Sequence, residues 1–106
     1  MLAIIMAIAD ENDRLFVENL YLQYSKKMNA VAIKILHNEA DAEDCVHDVV
    51  GIIIDNLECF RSADREDLKG LIMICTRNAA INCYNRNKRR GAATLNAATD
   101  EENDPI

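Results

Sequence analysis

The sequence is poor in aromatic side chains: its 106 residues include three tyrosines, two phenylalanines and no tryptophan. Half of the residues are nevertheless hydrophobic. A core must therefore be built mainly from leucine, isoleucine, valine, alanine, methionine and cysteine. The length suits one small domain, with enough apolar side chains for a core but no large margin.

Metal ligands and phosphate-binding loops are scarce. There are two histidines, and none of the four cysteines forms a C-x-x-C pair, which argues against a zinc finger. The pair His47-Asp48 resembles the His-Asp pair of some metal phosphohydrolases, but the further ligands of such a site are missing. The sequence also lacks H-E-x-x-H, G-x-S-x-G and a glycine-rich phosphate loop. A small metal-dependent hydrolase is therefore the least favoured function, and we expect no catalytic residue and no cofactor.

The N-terminal segment is apolar but does not resemble a targeting signal. MLAIIMAIA contains no basic residue and runs directly into acidic residues. It is too short to span a bilayer. Each cysteine lies at an apolar helical position, which predicts buried thiols in a reducing compartment. We therefore expect a cytoplasmic protein, with residues 1–12 forming an N-terminal arm that is either a short helix or frayed.

Hydrophobic residues recur at helical spacing in three long segments, with no strand signal, so we predict an all-α bundle of three main helices, with a short N-terminal helix as a fourth element if the arm is helical. The first helix follows the capping candidates in residues 10–13 and ends near Leu36. The second begins after Asn38 and ends near Cys59. The third runs from about Glu66 to Arg89 after a polar loop, capped by Ser62 or Asp64 and ended by Gly91. Residues 13–90 would form the domain and 91–106 a linker or disordered tail.

The second predicted helix has one apolar stripe and one acidic face. No lysine or arginine lies between Glu39 and Cys59, so the helix lacks the stabilising pairs of opposite charge that form one turn apart. The apolar stripe comprises Ala42, Cys45, Val46, Val49, Val50, Ile53 and Leu57. The polar face is either solvated surface or a contact for a basic partner. Gly51 within this helix either allows a close helix crossing or is simply tolerated.

The third predicted helix has the opposite charge. Its charged residues from 77 onward are all basic: Arg77, Arg86, Lys88, Arg89 and Arg90. Such side chains can neutralise phosphates. Asn78 and Asn82 lie one turn apart, and asparagine amides can hydrogen-bond to nucleobase edges. We favour nucleic-acid binding over a solvated surface with no binding role. Tyr84 could either stack on a base or cover the helix end.

Two motifs give the chain a family resemblance. DAEDCVHDVVGIIIDNLECF, followed by LKGLIMICTRNAAINCYNRNKRR, resembles region 2 of bacterial RNA polymerase sigma factors of the small extracytoplasmic-function (ECF) type. With the preceding helix, the resemblance covers about residues 13–90. Residues D-A-E-D before an acidic helix, and R-N-x-A-I before a basic end, form a specific combination.

The resemblance implies partners for three surfaces. In the family, the acidic helix docks on the clamp helices of the largest catalytic subunit of core RNA polymerase; the matching residues are Asp41, Glu43, Asp44, His47 and Asp48. The next loop captures a flipped base of the promoter −10 element, here through Arg61, Ser62, Asp64 and Arg65. The last helix holds the non-template strand, here through Arg77, Asn78, Asn82, Tyr84 and Arg86. We expect Lys88, Arg89 and Arg90 to add phosphate contacts.

Several positions depart from the family pattern. The Gln-Glu pair of the docking helix is His47-Asp48, a tryptophan of that helix is Ile54, and aromatic residues of the third helix are replaced by Leu71 and Met73. The family's second, helix-turn-helix domain is not expected within this sequence. These departures leave a rival, a module of the same fold that binds polymerase or an anti-sigma protein but no DNA. We expect sigma region 2 function in transcription initiation, with an anti-sigma protein as a further candidate partner.

Overall fold

A computed structural model describes the backbone of residues 3–95 and the side chains of residues 3–90. Within that range it contains five helices and no strand: α1 (Ala3–Met6), α2 (Glu11–Leu36), α3 (Glu39–Asp55), α4 (Leu57–Ser62) and α5 (Arg65–Leu95). The long helices α2, α3 and α5 pack against one another. The predicted all-α bundle is confirmed, and the arm contains the short helix α1.

Local capping explains where α2 and α3 begin. Asp10 precedes α2 and accepts a hydrogen bond from the backbone N–H of Asp13 at 3.0 Å. Asn38 does the same for Asp41 at 2.9 Å and begins α3. Between the helices, His37 adopts a left-handed conformation, with φ of 55°, and its N–H reaches the carbonyl of Ile33. Only His37 and Asn38 connect α2 to α3, so the two helices form a tight antiparallel hairpin.

The core lies where the apolar faces of the three long helices meet. Six of the seven predicted stripe residues, from Ala42 to Ile53, lie on α3 and are buried, whereas Leu57 lies on α4 and is half-buried. On α2, Val17 is buried and Leu15 is 45% exposed, so the inward side of the helix near its start includes Val17 and not Leu15. On α5, buried Thr76 satisfies its hydroxyl by donating to the carbonyl of Ile72 at 2.8 Å.

The short helix α1 closes one end of this core. Its Ile5 is fully buried, and Ile4 packs beside it. A Cβ built on Gly51 would lie 3.9 Å from Ile4 Cδ1, which is ordinary van der Waals distance. Gly51 is therefore tolerated within α3 rather than required by a close helix crossing.

The structure corrects the predicted end of the second helix. α3 stops at Asp55 instead of Cys59, because Asn56 Nδ2 donates to the carbonyl of Ile52 at 2.8 Å and takes the acceptor that a continuing helix would use. A second short helix, α4, then begins, with Phe60 buried as its anchor. The polar loop predicted before the third helix is thus reduced to Ala63 and Asp64.

The last helix is longer than predicted. α5 begins at Arg65 and continues through Gly91 to Leu95, so Gly91 does not end it. The residues after Gly91 are Ala-Ala-Thr-Leu, of which alanine and leucine are strong helix formers. The rest of the predicted tail, residues 96–106, lies outside the described residues. None of the described helices combines the length and the apolar character needed to cross a bilayer.

Candidate functional site

The predicted docking residues lie on the side of α3 that faces away from the core. Because Ala42, Cys45, Val46 and Val49 point inward, the side chains between them are turned outward. Glu43, Asp44, His47 and Asp48 are exposed, and Asp41 is half-buried. The five predicted residues therefore share one acidic face of the helix, which we call the acidic face.

Asp41 differs from the other residues of the acidic face because it has a partner within the chain. Its Oδ2 accepts a hydrogen bond from Asn87 Nδ2 of α5 at 3.1 Å. Asn87 Nδ2 also lies 3.8 Å from the Cys83 sulfur. Asn87 thus connects the first turn of α3 to α5, a structural role that the sequence did not reveal because the two residues are 46 positions apart.

A groove on one side of the acidic face is shared with α2. Glu43 and Val46 of α3 line it together with Tyr21, Ser25, Lys26 and Asn29 of α2. Lys26 and Glu43 bring opposite charges to this groove. The acidic face is therefore bounded on its α2 side by a basic residue, and Asp44 and His47 lie on the outward ridge of α3.

A second groove lies on the other side of α3, against α5, and we call it the α3/α5 groove. Asp48 and Ile52 line it from α3, and Cys75, Asn78, Ala79, Asn82 and Arg86 line it from α5. The structure thus brings one predicted docking residue, Asp48, together with three of the predicted DNA-binding residues. Sequence patterns gave no sign of this, because they assigned the two sets to separate surfaces.

The thiols under the acidic face are held in the neutral form. Burial raises the pKa of Cys45 to about 11, with smaller contributions from Cys83 and Asp48 and an opposing one from Arg86. Burial also raises the pKa of Cys83, and the Asp41 carboxylate raises it further, while Arg86 opposes this. The charges of α3 and α5 therefore act on the same buried sulfur atoms.

The remaining predicted DNA-binding residues of α5 are mostly exposed. Arg77, Lys88, Arg89 and Arg90 are exposed, whereas Tyr84 is half-buried. Ile74, one turn before Asn78, is 60% exposed. This surface of α5 therefore offers amide and guanidinium groups together with an aliphatic side chain, but no fully exposed aromatic ring among its described residues.

The predicted base-binding residues at the α4–α5 junction do not form one loop. Arg61 and Ser62 belong to α4, and Arg65 is the first residue of α5. Ser62 donates its hydroxyl to the carbonyl of Glu58. The only one of the four predicted residues that lies between the helices is Asp64, whose carbonyl accepts the N–H of Leu68 at 2.7 Å.

Arg61 makes two contacts with α2 that sequence patterns could not reveal. Its Nη2 lies 2.8 Å from Asp13 Oδ1 in an ion pair, and its Cζ lies 4.8 Å from the centroid of the Phe16 ring. We call these three residues the Arg61 clasp. Because Arg61 lies more than forty positions after Asp13 and Phe16 in the chain, no local pattern predicts these contacts.

Lys27 of α2 and Lys69 of α5 lie close to each other. A hydrogen bond with Lys69 and the charge of that residue lower the pKa of Lys27 on α2. Both side chains are exposed. Positive charge is therefore concentrated near the start of α5, on the side facing α2, a feature the sequence did not reveal.

The described side chains form no metal centre. No group of three or more histidine, cysteine, aspartate and glutamate side chains lies close enough to bind a metal ion in that part of the chain. All four cysteines are free thiols; Cys45 and Cys83 are buried as predicted, whereas Cys75 is half-buried and Cys59 is exposed. Helical spacing accounts for the exposure of Cys59. It lies two residues after Leu57, about 200° further around a helix, and would therefore lie off the apolar stripe even if α3 continued.

Comparison with known proteins gives one family match. The family described as Sigma-70 region 2 matches residues 20–90, which is about two thirds of the chain. No curated protein and no solved structure matches the chain significantly. The matched segment includes α3, α4 and most of α2 and α5, and therefore the acidic face and the α3/α5 groove.

Proposed function

The chain belongs to the sigma-70 region 2 family, and from this premise we propose that it is an ECF-type region that docks on the polymerase clamp and recognises the promoter −10 element. The family is a non-enzymatic domain of transcription initiation that binds RNA polymerase and promoter DNA. The finer assignment is supported above all by one observation. The outward surface of α3 is acidic, and that helix carries no lysine or arginine.

For docking, we propose that Glu43, Asp44 and His47 form the centre of the contact with the clamp helices. These side chains are exposed and lie around the outward ridge of α3. Asp41 and Asp48 lie at the edge towards α5, where Asp41 already accepts a hydrogen bond from Asn87. An acidic surface of this kind would steer a basic partner and fix its orientation.

For promoter binding, we propose that the non-template strand runs along the exposed side of α5. Asn78 and Asn82 would approach base edges, and Arg77, Arg86, Lys88, Arg89 and Arg90 would contact phosphates. Tyr84 would contribute through the exposed part of its ring. This division is supported by the exposure of both asparagines one helical turn apart.

We also propose that the α4–α5 junction captures one flipped base of the −10 element. Ala63 and Asp64 would form the edge of that pocket, flanked by Ser62 and Arg65. Arg61 would act indirectly, since its guanidinium is bound to Asp13. An anti-sigma protein that covers the acidic face is a further proposed partner, and the cytoplasm is the proposed compartment because the polymerase acts there.

Charge reversal on the acidic face tests the docking proposal. Glu43→Lys together with Asp44→Lys should weaken binding to core RNA polymerase by about 100-fold, because like charges across an interface cost several kcal/mol. The measurement is a pull-down followed by a quantitative titration. Circular dichroism should be unchanged, since both residues are exposed.

A matched control reverses two other acids of the same segment. Asp55→Lys together with Glu58→Lys changes the net charge equally, at exposed positions beyond the acidic face. This variant should bind polymerase like the unchanged chain. Equal losses in both variants would mean that net charge matters and the acidic face does not, and undiminished binding by the first variant would refute the docking proposal.

The second candidate function is an interaction module that binds polymerase or an anti-sigma protein without DNA. It is favoured by the half-buried position of Tyr84 and the absence of exposed aromatic rings on the described part of α5, because base stacking contributes roughly 1–3 kcal/mol per base. Fluorescence anisotropy with single-stranded −10-like DNA separates the two functions. If the chain is such an interaction module, it should show no saturable binding to this DNA.

A further inference from the structure

The α3/α5 groove combines hydrogen-bonding groups of every kind around an apolar floor. Asp48 contributes a carboxylate, Arg86 a guanidinium, and Asn78 and Asn82 amides that both donate and accept. Ile52, Cys75 and Ala79 supply the apolar surface. The volume is about 220 Å³, below the range of sites for drug-sized ligands, and therefore suits one small planar group.

The charged side chains of this groove act on the buried thiols beneath them but form no described hydrogen bond or ion pair with one another. The ion pairs Arg14–Glu11 and Arg61–Asp13 lie outside the groove, and Asp48 and Arg86 share it without forming an ion pair with each other. No described hydrogen bond uses the side chains of Asn78 or Asn82, in contrast to Asn87, which is bonded to Asp41. Carboxylate and guanidinium groups left open on one groove can receive a ligand that both donates and accepts.

The nucleobases differ in how well they match this set. Guanine presents two adjacent donors, N1–H and the 2-amino group, on one edge and two adjacent acceptors, O6 and N7, on the next. The donors suit a carboxylate, and the acceptors suit an arginine. Thymine has one N–H donor and no amino group. Adenine and cytosine have an amino group but no second donor beside it.

We propose that the α3/α5 groove binds one unpaired guanine of single-stranded promoter DNA. The Asp48 carboxylate accepts from N1–H and the 2-amino group, Arg86 donates to O6 and N7, and the base lies against Ile52 and Ala79. An unpaired base can be read on these edges because no complementary strand covers them. The inference rests on the proposed DNA binding. It gives Asp48 a base-reading role in place of the docking role that the family resemblance implied, and it gives Arg86 a base contact in place of the phosphate contact proposed above.

The test uses fluorescence anisotropy of the full chain with labelled oligothymidine strands that carry one central guanine, hypoxanthine or thymine. Hypoxanthine is guanine without the 2-amino group. The unchanged chain should bind the guanine strand about 5-fold more tightly, or better, than either other strand. Asp48→Asn should bind the guanine and hypoxanthine strands equally, because an amide cannot accept from both donors.

The matched control is Asp55→Asn, which removes the same charge from an exposed position two turns further along α3 and outside the α3/α5 groove. It should retain the full preference for guanine over hypoxanthine. The inference is overturned if the unchanged chain does not prefer guanine, if Asp48→Asn keeps the preference, or if both variants lose it alike. If the thymidine strand still binds in those cases, the proposed DNA binding stands and only the guanine site is refuted. Failure of every strand to bind the unchanged chain would overturn both proposals.

Discussion

Cys45 shows how one buried side chain makes stability depend on pH. Its thiol is fully buried on α3 and donates to the Thr76 carbonyl at 3.6 Å. Burial raises its pKa from 9.0 to about 11 in the folded chain. A thiol whose folded pKa is raised favours the folded state fully below the unfolded pKa. That contribution is lost as the pH rises towards the folded pKa.

We therefore predict that the free energy of unfolding falls between pH 9 and about 11. The part due to Cys45 should be about 2–3 kcal/mol, since one pKa unit corresponds to about 1.4 kcal/mol. Urea titrations of the unchanged chain and of Cys45→Ala across this range provide the measurement. The alanine variant should be less stable at neutral pH because it leaves a small cavity, but its stability should fall less with pH.

Cys59→Ala is the control, because that thiol is exposed. Its free energy of unfolding should depend on pH as that of the unchanged chain does. The comparison accounts for the lysine, tyrosine and other cysteine side chains that titrate over the same pH range in every variant. Identical profiles for Cys45→Ala and Cys59→Ala would contradict the assignment to Cys45.

Single residues also show what helical spacing predicts. The stripe of α3 was predicted correctly because its period reports which side chains share a face. Thr76 was not predicted to be buried, since a hydroxyl reads as polar. Its burial depends on the Ile72 carbonyl of the preceding turn, which satisfies the donor. Cys59 was wrongly predicted to be buried, because it lies off the apolar stripe of the second predicted helix.

At the scale of elements, the Arg61 clasp fixes α4 against the start of α2. Arg61→Ala should lower the free energy of unfolding by about 1 kcal/mol, measured by urea titration. The ion pair is partly exposed, and such pairs contribute about 0.2–1 kcal/mol, to which the contact with Phe16 adds a similar amount. The ion-pair part should decrease at high salt.

A double-mutant cycle separates the two contacts of the clasp. Asp13→Asn removes the ion pair and leaves the Phe16 ring in place. Its effect and that of Arg61→Ala should be non-additive, by the energy of the ion pair. Arg65→Ala serves as the control, since that arginine has no described partner. Additive effects of Asp13→Asn and Arg61→Ala would show that the ion pair contributes nothing to stability.

Helix starts were more predictable than helix ends. The starts after Asp10 and Asn38 were predicted because an N-cap acts on the N–H three residues later, within one sequence window. The end of α3 depends on the Asn56 side chain competing for a carbonyl, and α5 continues through a glycine that sequence rules place after a helix. The α4–α5 junction and the Arg61 clasp depend on contacts between distant segments.

At the scale of the whole molecule, acidic and basic surfaces lie on adjacent helices of a chain whose net charge is −6. We predict that Arg77→Ala with Arg89→Ala weakens all single-stranded DNAs alike, because phosphates carry no sequence information. The slope of log affinity against log salt should decrease by roughly 0.7 for each arginine removed. Anisotropy titrations at several salt concentrations measure it.

Asn82→Ala should behave differently from the arginine pair. It should lower discrimination at one base by about 1–3 kcal/mol and leave the salt slope unchanged. Asn85→Ala, at another exposed asparagine of α5, is the control for loss of an amide. If Asn82→Ala instead gave a uniform, salt-dependent loss, α5 would bind DNA only through its charge.

The two-residue connection between α2 and α3 has a consequence for how the chain reaches its folded state. Closing so short a loop costs little entropy, whereas α5 must pack against α2 across a much longer stretch of chain. We therefore expect the hairpin of α2 and α3 to order first and α5 to pack against it late. During synthesis, α2 would then bury much of the apolar stripe of α3 before α5 has been made. In pulsed hydrogen exchange, amides of α2 and α3 should become protected before those of α5, and simultaneous protection would contradict this order.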